Sequence, residues 1–135
     1  MNEQDHNPSQ PAIRVSLLPK DTNAMGTIFG GIILSYIDQA GAVEAHQHVS
    51  GRVVTVAMRE VEFHEPVFVG DLVSFYTSLV RCGRTSVTVK VAVEAARRWN
   101  RKLVVPVTDA EITYVNVDDE GRPIVLGATA AERRP

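Results

Sequence analysis

The chain is nearly without cysteine: Cys82 is the only one in 135 residues. One thiol closes no internal bridge, so the fold has to rest on packing, and such usage fits a reducing, cytoplasmic setting. Cys82 falls in an apolar strand pattern, and packing is its expected role. An excess of charge is missing too. Lys and Arg number 14 against 16 Asp and Glu, a net charge of −2 with the signs mixed, which leaves no electrostatic basis for binding nucleic acid. No apolar run is long enough to span a membrane, and the polar, proline-bearing opening MNEQDHNPSQPA has no segment of export-signal type. Neither nucleic acid nor membrane is an expected partner.

Several chemistries lack their residues. Gly26, Gly30 and Gly31 match neither the P-loop nor the dinucleotide-binding spacing, and no G-x-S-x-G elbow is present. His46 and His48 are two apart and diverge by about 200° on a helix, so they do not share a metal. They read as solvated residues near a helix C-terminus. No metal site is expected.

What is present is the stretch Asp21–His48, in which a glycine-rich leading loop, a long apolar segment and a lone acid follow one another. From about Phe29 the period becomes helical. Phe29, Ile33, Tyr36, Ile37, Ala40 and Val43 fall on one broad face, and Ser35, Gln39 and His46 on a narrow polar arc. A helix of about 19 residues, ~28 Å long, is expected to be largely wrapped by other structure. Asp38 interrupts it. Its neighbours at i−7, i−4, i+4 and i+7 are Gly31, Leu34, Ala42 and Ala45, mostly small residues that leave a slot beside the carboxylate.

Around this helix the chain reads as sheet. Ile13–Leu18 is a short strand, suited to an edge. Arg52–Phe63 is a Val- and Thr-rich strand whose alternation stumbles near Arg59 and Glu60, where a bulge is expected. Leu72–Cys82 is a third strand, and the Gly83-Arg84 turn leads into Thr85–Arg97, with Val87, Val89, Val91, Val93 and Ala95 on one face. A polar tip, Trp99–Lys102, precedes Leu103–Val117, in which Pro106 marks an edge or bulge. The expected fold class is α+β, a five-stranded antiparallel sheet wrapped around one long central helix. One domain covers residues 13–123, with loose tails at 1–12 and 124–135. Open sheet edges call for a second copy.

Chemistry then falls to Asp38 and the loop before it. The first turn of a helix presents unpaired amides, and Gly30 or Gly31 offers one to a carbonyl oxygen becoming an oxyanion. A carboxylate near that carbonyl can attack it or deprotonate a water. Gly30 and Asp38, however, lie about 12 Å apart along one helix. Two chains with antiparallel helices would bring Gly30 of one opposite Asp38 of the other.

The segments Asp21–Gly31, Asp38–Gly41, Gly51–Val56, Pro66–Asp71 and Gly83–Ser86, taken together with their spacing, closely resemble the hotdog-fold acyl-CoA thioesterases of the YciA type, related to the cytosolic acyl-CoA hydrolases. The resemblance runs from about Ile13 to Pro123. It implies hydrolysis of acyl-CoA to free CoA and a carboxylic acid, and a dimer with a continuous ten-stranded sheet, often assembled into a trimer of dimers. Asp38 would be the general base or nucleophile, Asn23 of the facing subunit would hold the water or thioester, and Gly30 or Gly31 would supply the oxyanion amide. Arg84, Thr85 and Ser86 would contact CoA. Thr55 reads as a strand threonine outside the site. No cofactor is implied beyond the CoA of the substrate. Two other readings remain, a non-catalytic acyl-CoA sensor and a 3-hydroxyacyl thioester dehydratase; the latter would need a histidine paired with the acid.

Overall fold

Two-residue alternation from Arg52 onward and one helical period before it dictate an antiparallel sheet against a helix. The computed structural model describes residues 10–129 and 132. It contains strands β1 (Ile13–Ser16), β2 (Arg52–Arg59), β3 (Leu72–Cys82), β4 (Ser86–Arg97) and β5 (Asn100–Val117), and helix α1 (Gly30–Ala45). The sheet order is β1-β3-β4-β5-β2, every neighbouring pair antiparallel. β1 and β2 are its edges.

The alternation in β4 buries Val87, Val89, Val91, Val93 and Ala95. With Val73 and Phe75 of β3, Ala110 and Ile112 of β5, and Ile33, Ile37, Ala40 and Ala45 of α1, they form one core. Each fully buried Val or Ile contributes about 1.5–3 kcal/mol. Bulges correct the alternation where it drifts. Val56 is skipped between the Thr55–Tyr114 and Ala57–Thr113 pairs, so Val53 and Met58, five apart, both pack on the core.

The boundaries differ from expectation in ways that have local causes. The helix is 16 residues long, and β2 stops at Arg59 because Glu60 turns to a φ of 61°. Its bulge lies at Val56, earlier than expected. β1 ends at Ser16, before a 3-10 turn at Pro19–Asp21. β5 starts at Asn100 rather than Leu103 because Asn100 pairs with Arg97 across a tighter hairpin. Cys82 is exposed, not packed. From Arg122 to Ala128 the chain is bonded to the sheet and to its adjoining turns rather than loose. The Asn116 side chain donates to Val125 O at 2.9 Å, Ser50 Oγ to Ala128 O at 2.6 Å, and Ala128 is buried. Residues 1–9, 130, 131 and 133–135, parts of the two expected tails, lie outside the described residues.

Phe29 and Val43, expected on the covered face of the helix, are 57% and 47% exposed. The side against the sheet is instead Ile33, Ile37, Ala40, Gly41, Glu44 and Ala45. Glu44 is 2% exposed; it accepts from Thr77 Oγ1 at 2.9 Å and from His48 Nε2 at 2.7 Å. His48 is thus a partner of a buried carboxylate and not a solvated residue. His46 is exposed as expected, its ring nitrogen donating to Ala42 O at 2.7 Å.

A second buried charge anchors the β4–β5 hairpin. Asp71 is fully buried; it accepts from Arg97 Nη1 at 2.8 Å, from Phe68 N at 2.9 Å and from Arg98 N at 3.1 Å. Arg97 also lies against the Phe68 and Trp99 rings, 4.9 and 5.6 Å from their centroids. Asp71→Ala would strand two amides and take from the guanidinium its buried carboxylate, leaving it the Pro66 carbonyl at 2.8 Å and the exposed Glu65 at 3.7 Å. It is expected to lower the unfolding free energy by about 3–5 kcal/mol, measured by urea titration; a loss below about 1 kcal/mol would show that the pair contributes little.

Candidate active site

The leading loop is built by its own side chains. Asn23 Oδ1 accepts from Met25 N at 2.9 Å and Thr27 N at 3.2 Å, while Nδ2 donates to Thr27 Oγ1 at 2.9 Å. One amide hydrogen of Asn23 is left over. Gly26 takes a φ of 86° between them, a backbone that glycine adopts without cost. Asp21 O accepts from Phe29 N at 2.8 Å and Val67 O from Ile28 N at 2.8 Å, which fixes the approach to α1. The helix then starts without a side-chain cap. The Gly30 and Gly31 amides donate to no group among the described residues. They are free to receive an acceptor. Beside Gly30 is a cavity of about 300 Å3 walled by Ile28, Ile33, Phe63, Pro66 and Val67. It is largely apolar.

Asp38 is half-buried. Its Oδ1 accepts from Thr55 Oγ1 at 2.7 Å and lies 3.2 Å from the Tyr114 hydroxyl, which is also 2.7 Å from the Asp38 backbone oxygen. Oδ2 takes no hydrogen bond among the described residues. Thr55 and Tyr114 are a registered pair between β2 and β5, so the edge of the sheet delivers two hydroxyls to one carboxylate oxygen. Burial pushes the Tyr114 hydroxyl well above the usual phenol range, and the negative charge of Asp38 adds to the shift. Tyr114 therefore keeps its proton at neutral pH.

Thr55, expected to be a strand threonine outside the site, instead bonds the carboxylate, and Tyr114 escapes a reading of the sequence. Each sits in an ordinary strand pattern, and only the pairing of β2 with β5 beneath the helix reveals them. A signal exists in Gly41, three residues after Asp38. A Cβ there would overlap the Tyr114 hydroxyl and stand 3.1 Å from its ring carbon Cζ.

Of the small residues expected beside Asp38, Gly31 is exposed, Leu34 and Ala42 are half-buried, and Ala45 belongs to the core. The slot is thus open toward the helix N-terminus and filled at its other end. The Arg84-Thr85-Ser86 turn is closed by Gly83 N donating to Ser86 O at 2.8 Å. Arg84 is exposed, and Thr85 and Ser86 are half-buried. Val87, next to Ser86, pairs with Tyr114, so the turn lies one strand away from the residue that holds Asp38. Within one chain Gly30 and Asp38 remain about 12 Å apart along α1. No cluster of three or more metal-ligating side chains occurs among the described residues, and no described helix is long and apolar enough to cross a membrane.

The sequence profile of the thioesterase superfamily matches residues 25–98, from the leading loop through β4. The chain belongs to the thioesterase superfamily. Its fold is the hotdog fold. A hexameric hotdog-fold thioesterase of Campylobacter jejuni superposes with a TM-score of 0.81 at 43% identity, over 86% of this chain and 89% of that one. A hexameric broad-specificity acyl-coenzyme A thioesterase, solved as an aspartate-to-alanine mutant, gives 0.83 at 36% identity over 92% and 91%. The acyl-CoA thioester hydrolase YciA of Escherichia coli K12 is 40% identical over 121 residues, 84% of this chain and 88% of that protein.

The loop ahead of α1 has a pH signature of its own. The Asp21 carboxylate is held below the usual range by the Leu18 backbone N–H, then by Lys20. A depressed folded-state pKa contributes stability that is present above the unfolded value and is lost as pH falls through the folded one. The stability gap between wild type and Asp21→Asn should therefore be constant from pH 7 to about 5 and shrink below about 4. Urea unfolding at stepped pH measures it; a gap that widens on acidification would contradict the assignment.

Proposed function

We propose that this chain hydrolyses acyl-CoA thioesters to a carboxylic acid and free CoA. The observation that carries the reading is a carboxylate with one oxygen held by two hydroxyls and the other unbonded, on a helix whose first amides are unpaired beside an apolar cavity. The relatives are named as acyl-CoA thioester hydrolases, and one is an aspartate mutant.

Two copies make one site in this reading. Phe29 and Val43 on the helix and Val54 and Val56 on β2 are exposed, and β2 is a sheet edge, so a second chain covers apolar surface and an open strand together. With helices antiparallel, the thioester carbonyl lies at the Gly30 or Gly31 amide of one protomer and faces Asp38 of the partner subunit. The leftover Asn23 hydrogen points a water or the carbonyl. Asp38 takes a proton from water as hydroxide adds to the carbonyl, the amide holds the oxyanion, and collapse expels CoA thiolate, which recovers the proton. Alternatively the carboxylate adds to the carbonyl, the C–S bond breaks to expel CoA thiolate, and water cleaves the resulting mixed anhydride, its proton going to the thiolate. Oxygen-18 from water entering the enzyme carboxylate in a single turnover would select the second route.

Arg84 pairs with CoA phosphate, and Thr85 and Ser86 add neutral donors. The hexameric neighbours support a trimer of dimers, and a cytoplasmic location belongs to the same proposal. The dehydratase alternative needs a histidine on the acid, whereas the described side chains bonded to Asp38 are Thr55 and Tyr114; His64, which lines the cavity beside Gly30, is not among them.

Thiol release from a panel of acyl-CoAs is the test. Asp38→Asn is expected to lower kcat by about 10²–10⁴-fold; equal rates in both proteins would overturn the assignment, and tight binding without turnover by wild type would favour the sensor. The solution species should be a multiple of two by light scattering.

A further inference from the structure

We propose that Tyr114 is a positioning residue for Asp38, selecting which carboxylate oxygen meets the thioester through a hydroxyl that reaches the helix only because residue 41 is glycine. The inference rests on the hydrolase reading above.

An aspartate side chain on a helix has two torsions to fix, and a single hydrogen bond leaves the carboxylate able to swing about it. Here Oδ1 accepts from Thr55 Oγ1 at 2.7 Å and lies 3.2 Å from the Tyr114 hydroxyl on the neighbouring strand. The single hydrogen of that hydroxyl is shared between Oδ1 and the Asp38 carbonyl, which is nearer at 2.7 Å. That carbonyl is a rigid part of the same residue, so its position relative to Oδ1 sets both torsions at once. Oδ2 is left as the reactive oxygen. A tyrosine that served only to satisfy its own buried hydroxyl would need the carbonyl alone.

The approach requires a gap in the helix surface. The carbonyl of residue 38 points toward the side chains three and four positions on; these are Gly41 and Ala42, and the added Cβ at 41 would overlap the hydroxyl. The ring is held in turn by the sheet: Tyr114 is 1% exposed and pairs with Thr55 on one side and Val87 on the other. Because the phenol keeps its proton at neutral pH, it serves as donor and takes no part in moving the substrate's proton.

Tyr114→Phe keeps the ring and removes the donor. With saturating acyl-CoA, kcat is expected to fall about tenfold, the scale of one hydrogen bond to a charged group, with KM within about twofold of wild type. Gly41→Ala, which displaces the hydroxyl without removing it, should lower kcat in the same direction. In an Asp38→Asn background, adding Tyr114→Phe should change the residual rate by less than about twofold, since the residue acts through the carboxylate. Wild-type kcat in Tyr114→Phe, a loss seen in KM alone, or an undiminished tenfold loss in the Asp38→Asn background would overturn the inference. Should Asp38→Asn abolish turnover while Tyr114→Phe preserves it, only the positioning role fails; should Asp38→Asn turn over normally, the catalytic reading fails with it. Tyr114→Phe and wild type compared by thermal melting keep loss of fold apart from loss of rate.

Discussion

Helix and sheet touch mostly through Val, Ile and Ala, contacts that hold strongly but carry no direction. Direction comes from a few hydrogen bonds that cross the interface, and the one from Tyr114 to Asp38 is where the fold and the chemistry meet. It sets the rotation of α1 over β5 and β2 and, with the same atom, the orientation of the acid. On the other side Glu44 ties the helix to β3 through Thr77. Both ties involve residues that would be costly to bury unpaired. The pair of them gives an apolar layer one register instead of several.

The rest of the architecture serves to bring separate parts to that register. The hairpin from β4 to β5 is locked at its tip by the Asp71–Arg97 pair, and at its other end Asn116 N donates to Thr85 O in the turn that joins β3 to β4. Tyr114 thus stands on a strand anchored along its length. The leading loop, wired by Asn23, delivers two glycine amides to the start of the helix, and no described residue bonds them. The acid and those amides occupy one rigid rod at a fixed separation of about 12 Å. A thioester is too small to bridge that distance, so the proposed reaction needs a second rod lying alongside.

Much of this can be read from residue order. The alternation in β4, the Gly83 turn and the helical period after Phe29 are local patterns in which each position announces its own environment, and they specify the strand–helix–four-strand order. Asp38 stands out as a charge where the pattern wants none. Thr55 and Tyr114 do not, since a hydroxyl on a strand has the same local pattern whether or not a carboxylate lies above it. Their role depends on β2 crossing to pair with β5 rather than with its neighbour in sequence. Glu44 is hidden for a related reason: the broad apolar face that periodicity assigns to the helix is rotated from the buried one, and Phe29 and Val43, core by pattern, face outward. An apolar residue left at the surface looks the same in sequence as one in the interior.

Gly41 carries a consequence for how this chain can change. In the middle of a helix glycine is about 0.8–1.0 kcal/mol less favourable than alanine, so the protein accepts a weaker helix in return for a seated phenol. Gly41→Ala would gain that propensity but drive a methyl into the hydroxyl of a tyrosine that is 1% exposed, and overpacking of about 1–3 kcal/mol outweighs the gain. Helix propensity and packing therefore oppose each other at a single carbon atom, and a stabilised descendant of this chain must gain its extra stability somewhere other than at residue 41.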